Sequence, residues 1–160
     1  MKLGLGLDIY NTSQLLLPTE AVIHAEKSGF HSVWTAEAYG IDALSPLAYL
    51  AAVTERIKLG TAIVQVAART PAATAMHAMT IDALAGGNRT IIGLGVSGPQ
   101  IVEGWYGQPW GSPHHWLRDY VAIMLKVLKS QIPVEHDGRL IQLLLEGEGA
   151  IGQGLSLIHI

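Results

Sequence analysis

Ile57-Lys58-Leu59-Gly60-Thr61-Ala62-Ile63-Val64-Gln65-Val66 is followed by Thr70-Pro71, by a helix-forming run that ends at Gly86-Gly87, and by Thr90-Ile91-Ile92. This is one strand–helix–strand unit written in full. The apolar, β-branched run reads as a buried strand. Thr70 offers an N-capping hydroxyl, and Pro71 stands in the first turn, where a missing N–H costs nothing. Glycine closes the helix because it enters the left-handed region without strain.

The same grammar extends in both directions. Upstream, Leu3-Gly4-Leu5-Gly6-Leu7 reads as a strand, and Thr19 to Lys27 as a helix with Ala21, Val22 and Ala25 on one face, stopped at Gly29. Ser32-Val33-Trp34-Thr35 is a second strand, and Ser45-Pro46 caps a helix running to about Arg56. Downstream, a loop from Gly95 to Gly111 precedes a helix announced by Ser112-Pro113 and carried by Trp116, Leu117, Tyr120, Val121, Met124, Leu125 and Leu128. Strand starts near 3, 32, 57 and 90 fit the roughly thirty residues of a βαβ unit. The expected organisation is four β/α units over 1–132, an irregular region over 133–154 and a tail over 155–160. Two architectures satisfy this order: a small doubly wound domain, or part of a (β/α)₈ barrel, which takes about 250 residues when complete.

Hydrophobic residues form 49% of the 160 positions and charged residues 14%, enough apolar surface for a packed core. The net charge is −3 without basic clusters, which argues against nucleic acid as a partner. No apolar run reaches the roughly 18 residues of a membrane span, and Met1-Lys2-Leu3 does not open a signal peptide. The expectation is a soluble, cytoplasmic chain. Cysteine is absent, so disulfides and thiol chemistry are excluded.

Gly93-x-Gly95-x-x-Gly98 matches a dinucleotide fingerprint by pattern. It follows the fourth strand rather than the first, and the position about 20 residues on falls inside the Ser112 helix instead of closing a strand on an acid. Close packing is the better account of Gly93. Glu37 follows the second strand, at the end where barrel enzymes gather catalytic groups, and is the catalytic candidate. A carboxylate that accepts loop amides is an equal reading of it. Trp105, Tyr106 and Trp110 suit stacking on a planar ligand but also suit anchoring a long loop, and anchoring is favoured. Arg69 after a strand reads as a surface residue or a phosphate contact. His114 and His115 are adjacent on a helix and point apart, so no metal site is expected. Asp82 and His77 read as capping, packing or solvated groups.

The ordered set Thr35-Ala36-Glu37-Ala38-Tyr39-Gly40, Arg56-Ile57-Lys58-Leu59-Gly60-Thr61, Arg69-Thr70-Pro71, Asp82-Ala83-Leu84-Ala85-Gly86-Gly87 and Gly93-Leu94-Gly95-Val96-Ser97-Gly98-Pro99 resembles the luciferase-like monooxygenase superfamily over about residues 1 to 150. With Glu103-Gly104-Trp105-Tyr106-Gly107 it is most similar to the branch that depends on the deazaflavin coenzyme F420. The resemblance implies an α/β fold, a parallel (β/α)₈ TIM barrel, represented here by about its first four β/α units. It implies hydride transfer to or from a small organic substrate, with FMN-dependent monooxygenation as the alternative. It places the coenzyme against Glu37, Ala62, Ile63, Gly95, Val96 and Ser97, with a cis Ala62–Ile63 peptide in a strand bulge, and assigns most contacts to the phosphate tail to the other half of the barrel. Ala38 stands where the family usually has a proton-transferring histidine, which argues against dehydrogenation by that route. Gly154 to Ile160 also departs from the family. A non-catalytic fragment, or a half-barrel paired with a second copy as a homodimer through its open sheet edges, is the reading of another class.

Overall fold

The fold is built on a four-stranded sheet, β1 (Gly4–Gly6), β2 (Ser32–Thr35), β3 (Lys58–Gln65) and β4 (Thr90–Gly95), in the order β1-β2-β3-β4 with every pairing parallel. The structure is a computed structural model that describes residues 1–8, 16–129 and 134–143. Helices α1 (Thr19–Lys27), α2 (Ser45–Val53) and α3 (Pro71–Leu84) join consecutive strands. After β4 come one short turn of helix, α4 (Pro99–Val102), and then α5 (Pro113–Lys129). A sequential parallel order has no point at which the strand order reverses, so the doubly wound alternative and its ligand crevice are set aside.

The helices meet one face of the sheet. Leu5, Val33 and Leu59, aligned across three strands, pack in one cluster with Val22 of α1, Leu47 and Leu50 of α2 and Ile81 of α3. Burying each such side chain contributes about 1.5–3 kcal/mol, which makes this cluster the main source of stability. On the opposite face the Trp34 ring lies across Gly4 and Gly60. A Cβ on Gly60 would fall 2.4 Å from it, so the two glycines leave the space that the indole fills. A second cluster joins α5 to α3 and the ends of the strands: Tyr120, Ile123, Met124 and Val127 against Ala75 and Val66. Small residues on α3 let α5 approach, and the Thr74 hydroxyl bonds the buried Tyr120 hydroxyl.

Several local expectations are modified. Thr70 caps α3 as read, accepting from the Ala73 amide at 3.2 Å, and Gly86 and Gly87 take positive φ at its end. Ser45 does not cap α2. Asp42 does, its Oδ1 accepting from the Leu44 and Ser45 amides at 2.8 Å each, because its carboxylate reaches two orphan donors that a hydroxyl at the helix start cannot. Within the stretch read as irregular, β5 (His136–Asp137) and β6 (Gln142–Leu143) pair antiparallel. Buried Asp119 of α5 holds this hairpin by accepting from Leu140 N at 2.8 Å and Ile141 N at 3.2 Å. The tail over 155–160 lies outside the described residues.

Candidate functional site

At the end of the sheet where β2, β3 and β4 finish, the third strand carries one extra residue. Thr61 pairs with Ile92 and Val64 with Leu94, three positions against two. The surplus falls at Ala62-Ile63, whose peptide is cis. A bulge interrupts the ladder and turns the side chains after it to the other face. Thr61 repairs the interruption: its Oγ1 accepts from Gly93 N at 2.9 Å and donates to Gly93 O at 3.0 Å. A Cβ on Gly93 would lie 2.3 Å from the Thr61 carbonyl oxygen, so the packing reading of Gly93 holds. Ile63 extends over Gly95, where a Cβ would meet its Cδ1 at 2.6 Å. The expected coenzyme residues Ala62, Ile63 and Gly95 are thus brought together by the bulge. Val96 and Ser97 follow directly on β4. Ser97 takes φ +58°, a left-handed conformation that costs a non-glycine residue about 1–3 kcal/mol and often marks a functional loop.

Glu37 is also at this end, but it faces inward, with 7% of its surface exposed. Its carboxylate accepts from Ala43 N at 3.1 Å, Gln65 N at 2.8 Å and both terminal nitrogens of Arg69, at 2.7 and 3.0 Å. An ionised carboxylate offers about four acceptor positions, and four donors take them here. Gln65 answers by donating Nε2 to the Glu37 carbonyl at 3.0 Å. The amide-accepting reading of Glu37 therefore describes its contacts, and the catalytic one loses the free oxygen it requires. Arg69 is corrected as well, since its charge is committed to Glu37, with Asp42 at 3.8 Å, and is neither free at the surface nor free for a phosphate. Burial alone would lower the pKa of this guanidinium. The bonds and charge of Glu37, with Asp42 and Tyr106, outweigh burial and hold it above the ordinary value. Burial and the Glu37 charge push the Tyr106 phenol up.

The loop aromatics divide by role. Trp105 meets Tyr39 edge to face at 5.5 Å, tying the loop after β4 to the loop after β2, as the anchoring reading requires. Trp110 lines an apolar cavity of about 270 Å³ with Val66, Val96, Val102 and Trp116. That cavity was missed in the sequence because its walls come from four separate segments. Gly98 precedes a helix of only four residues, so the glycine fingerprint opens no anion-binding helix. The rings of His114 and His115 meet edge to face at 5.6 Å rather than diverging, with His115 drawn to the Ser112 hydroxyl at 2.7 Å. No group of three metal-ligating side chains forms among the described residues.

The profile of the family described as luciferase-like monooxygenase matches residues 19–151. The chain belongs to that family. It is 48% identical over 157 residues to a Mycobacterium tuberculosis protein named as a coenzyme F420-dependent oxidoreductase, across 98% of this chain and 45% of the relative. The chain spans less than half the length of the curated relatives it matches. Among solved structures it superimposes on the coenzyme F420-dependent tetrahydromethanopterin reductase of Methanopyrus kandleri, with a TM-score of 0.75 and 24% identity over 89% of this chain and 44% of that one. The oxygenating constituent of 3,6-diketocamphane monooxygenase of Pseudomonas putida, in complex with FMN, gives a TM-score of 0.73 at 18% identity, covering 96% of this chain and 46% of that one. Likeness at these identities establishes the fold, and the expectation of an α/β TIM barrel, represented here by about its first four β/α units, agrees with it. No helix among the described residues is long and apolar enough to cross a membrane.

Proposed function

We propose that the chain is the N-terminal part of a coenzyme F420-dependent oxidoreductase that transfers a hydride to or from a small organic substrate. The carrying observation is the 48% identity, over nearly the whole chain, to a relative of that name. Ala62, Ile63, Gly95, Val96 and Ser97 are proposed to hold the coenzyme ring. Three features suit that role: Ala62 and Ser97 are exposed, Gly95 carries no side chain, and the bulge presents backbone instead of bulk. When bound, a deazaflavin supplies the hydride acceptor or donor. The chain supplies shape and orientation. Ile63, over Gly95, backs the ring, and Glu37 acts as a positioning residue. By accepting from Gln65 N and gripping Arg69 it fixes the end of the strand that carries the bulge, which favours the amide-accepting reading of it over the catalytic one.

The test is to titrate the purified chain with F420 and with FMN separately, following coenzyme fluorescence. The expected result is a saturable change with the deazaflavin at lower concentration than with FMN. Affinity should be weaker than submicromolar, because the resemblance assigns most contacts to the phosphate tail to the other half of the barrel. Preference for FMN would support the monooxygenase alternative instead. Sedimentation in the same samples tests self-pairing, since β1 and β4 are both sheet edges among the described residues. Binding that disappears on dilution together with a dimer would mean that two copies complete the site.

A further inference from the structure

The cavity between the end of β4 and the start of α5 holds about 270 Å³ and is lined by Val66, Val96, Val102, Trp110, Trp116 and Leu140, among others. None of its lining side chains carries a charge. Its polar side-chain groups are the Gln108 amide, the Ser112 hydroxyl and the indole N–H groups, and Ser112 is already bonded to His115. Arg139, the neighbour of Leu140, directs Nη1 to His115 Nε2 at 3.0 Å. A carboxylate or phosphate entering this space would lose hydration and find no compensating charge, a transfer that is strongly unfavourable. An apolar molecule would gain contact with two indoles and several valines. For scale, an apolar cavity of about 150 Å³ takes up benzene. The space here is nearly twice that, enough for two fused rings.

We infer that this cavity binds an uncharged, largely apolar small molecule of about bicyclic size. Val96 packs with the cluster that joins α3 to α5, whereas Gly95 beside it faces Ile63, so this space lies apart from the one proposed for the coenzyme ring. The class excludes sugar phosphates, carboxylic acids and other anions.

Equilibrium dialysis of the chain against 2-naphthylmethanol and 2-naphthoate, which share a ring system and differ in charge, tests the inference without coenzyme. The alcohol should be retained with a Kd at least tenfold lower than the anion's. Ala67→Leu, which fills the space from a half-buried position, should weaken retention of the alcohol about tenfold, and Trp110→Ala should weaken it by a similar factor. Far-UV circular dichroism reports whether each variant is folded. If Ala67→Leu fails to fold, Trp110→Ala, on the loop, decides. Equal retention of both probes, retention of neither, or folded variants that bind like the parent would each overturn the inference. Coenzyme titration of the same preparation keeps the two proposals apart. A chain that retains the alcohol but prefers FMN would refute the F420 reading and leave the cavity assignment intact.

Discussion

Arg69 closes both terminal nitrogens on the two oxygens of Glu37, at 2.7 and 3.0 Å, with the carboxylate buried beneath it. Because Glu37 follows β2 and Arg69 follows β3, this pair ties together two loops that no ladder bond reaches. Glu37→Gln replaces one acceptor oxygen with an amide that donates toward Arg69 or Gln65, leaving a half-buried guanidinium short of a partner. The expected cost is about 2–4 kcal/mol in urea denaturation, below the upper range for fully buried pairs because Arg69 keeps some solvent. Adding Arg69→Met to Glu37→Gln should recover part of the loss. A double variant no better than the single one would show that the pair is not coupled.

Acid should weaken the fold through carboxylates whose pKa values are held down, among them Glu26, Asp42 and Asp82. Burial, the largest single influence on Glu26, Asp42 and Asp82, would raise their pKa values. Amide donors outweigh it: Ile57, Arg56 and Glu55 for Glu26, Ser45 and Leu44 for Asp42, and Thr90, Asn88 and Arg89 for Asp82. All three are held below their ordinary values of 4.5, 3.8 and 3.8. The unfolded chain therefore takes up protons first as pH falls. Stability from these groups is complete above about pH 5–6 and is lost progressively as pH drops through the folded values. Asp82→Asn should be less stable at pH 7 and should lose less between pH 6 and pH 3 than the parent, as read by thermal midpoints. A parallel pH profile in parent and variant would rule Asp82 out as a contributor.

The four-strand order was legible because each β/α unit carries its own punctuation. Thr70-Pro71 and Gly86-Gly87 bound α3 as read, and the alternation alone implied parallel pairing. The resemblance located the bulge to the residue pair. What stayed hidden depends on contacts between segments far apart in sequence. Glu37 invited a catalytic reading because its neighbours along the chain say nothing of Arg69 and Gln65, which meet it only once β2 and β3 are paired. Ser45 looked like a cap because the Asp42 carboxylate precedes the helix start by more than the usual motif spacing. The 134–143 hairpin gave no alternating pattern because its two-residue strands are held by Asp119 rather than by an apolar face.

Arg89 closes the opposite end of the sheet. It is 6% exposed and donates Nε to Ile57 O at 3.0 Å and Nη1 to Thr54 O at 2.8 Å, with Nη2 on the Thr54 hydroxyl. These bonds satisfy carbonyls at the end of α2 and the start of β3 that no helix or ladder partner reaches. Arg89→Ala should destabilise the chain by about 3–5 kcal/mol, since it leaves several buried acceptors unpaired and opens a void. Arg89→Lys should recover little, because one ammonium cannot span the same fork of carbonyls. Recovery of most of the stability by lysine would mean that charge, and not the fork, is what Arg89 supplies.

Gly93 and Gly95 face the same bulge but should respond differently to one added methyl group. At Gly93 the new Cβ would lie 2.3 Å from the Thr61 carbonyl oxygen, a backbone atom fixed by the ladder, so the strands themselves must part. At Gly95 it would meet Ile63 Cδ1 at 2.6 Å and Cγ1 at 2.7 Å, atoms of a half-buried, β-branched side chain that must turn about its first torsion to give way, which is still easier than parting two strands. Gly93→Ala should therefore cost about 2–3 kcal/mol and Gly95→Ala less, about 1–2 kcal/mol. The order should invert for coenzyme. Gly95→Ala pushes Ile63 toward the space proposed for the ring and should weaken F420 titration several-fold in a chain that remains folded and loses less in thermal midpoint than Gly93→Ala. If Gly95→Ala were as destabilising as Gly93→Ala, Ile63 would be locked in place by packing. If Gly95→Ala left F420 binding unchanged, the ring would lie elsewhere than over Ile63 and Gly95.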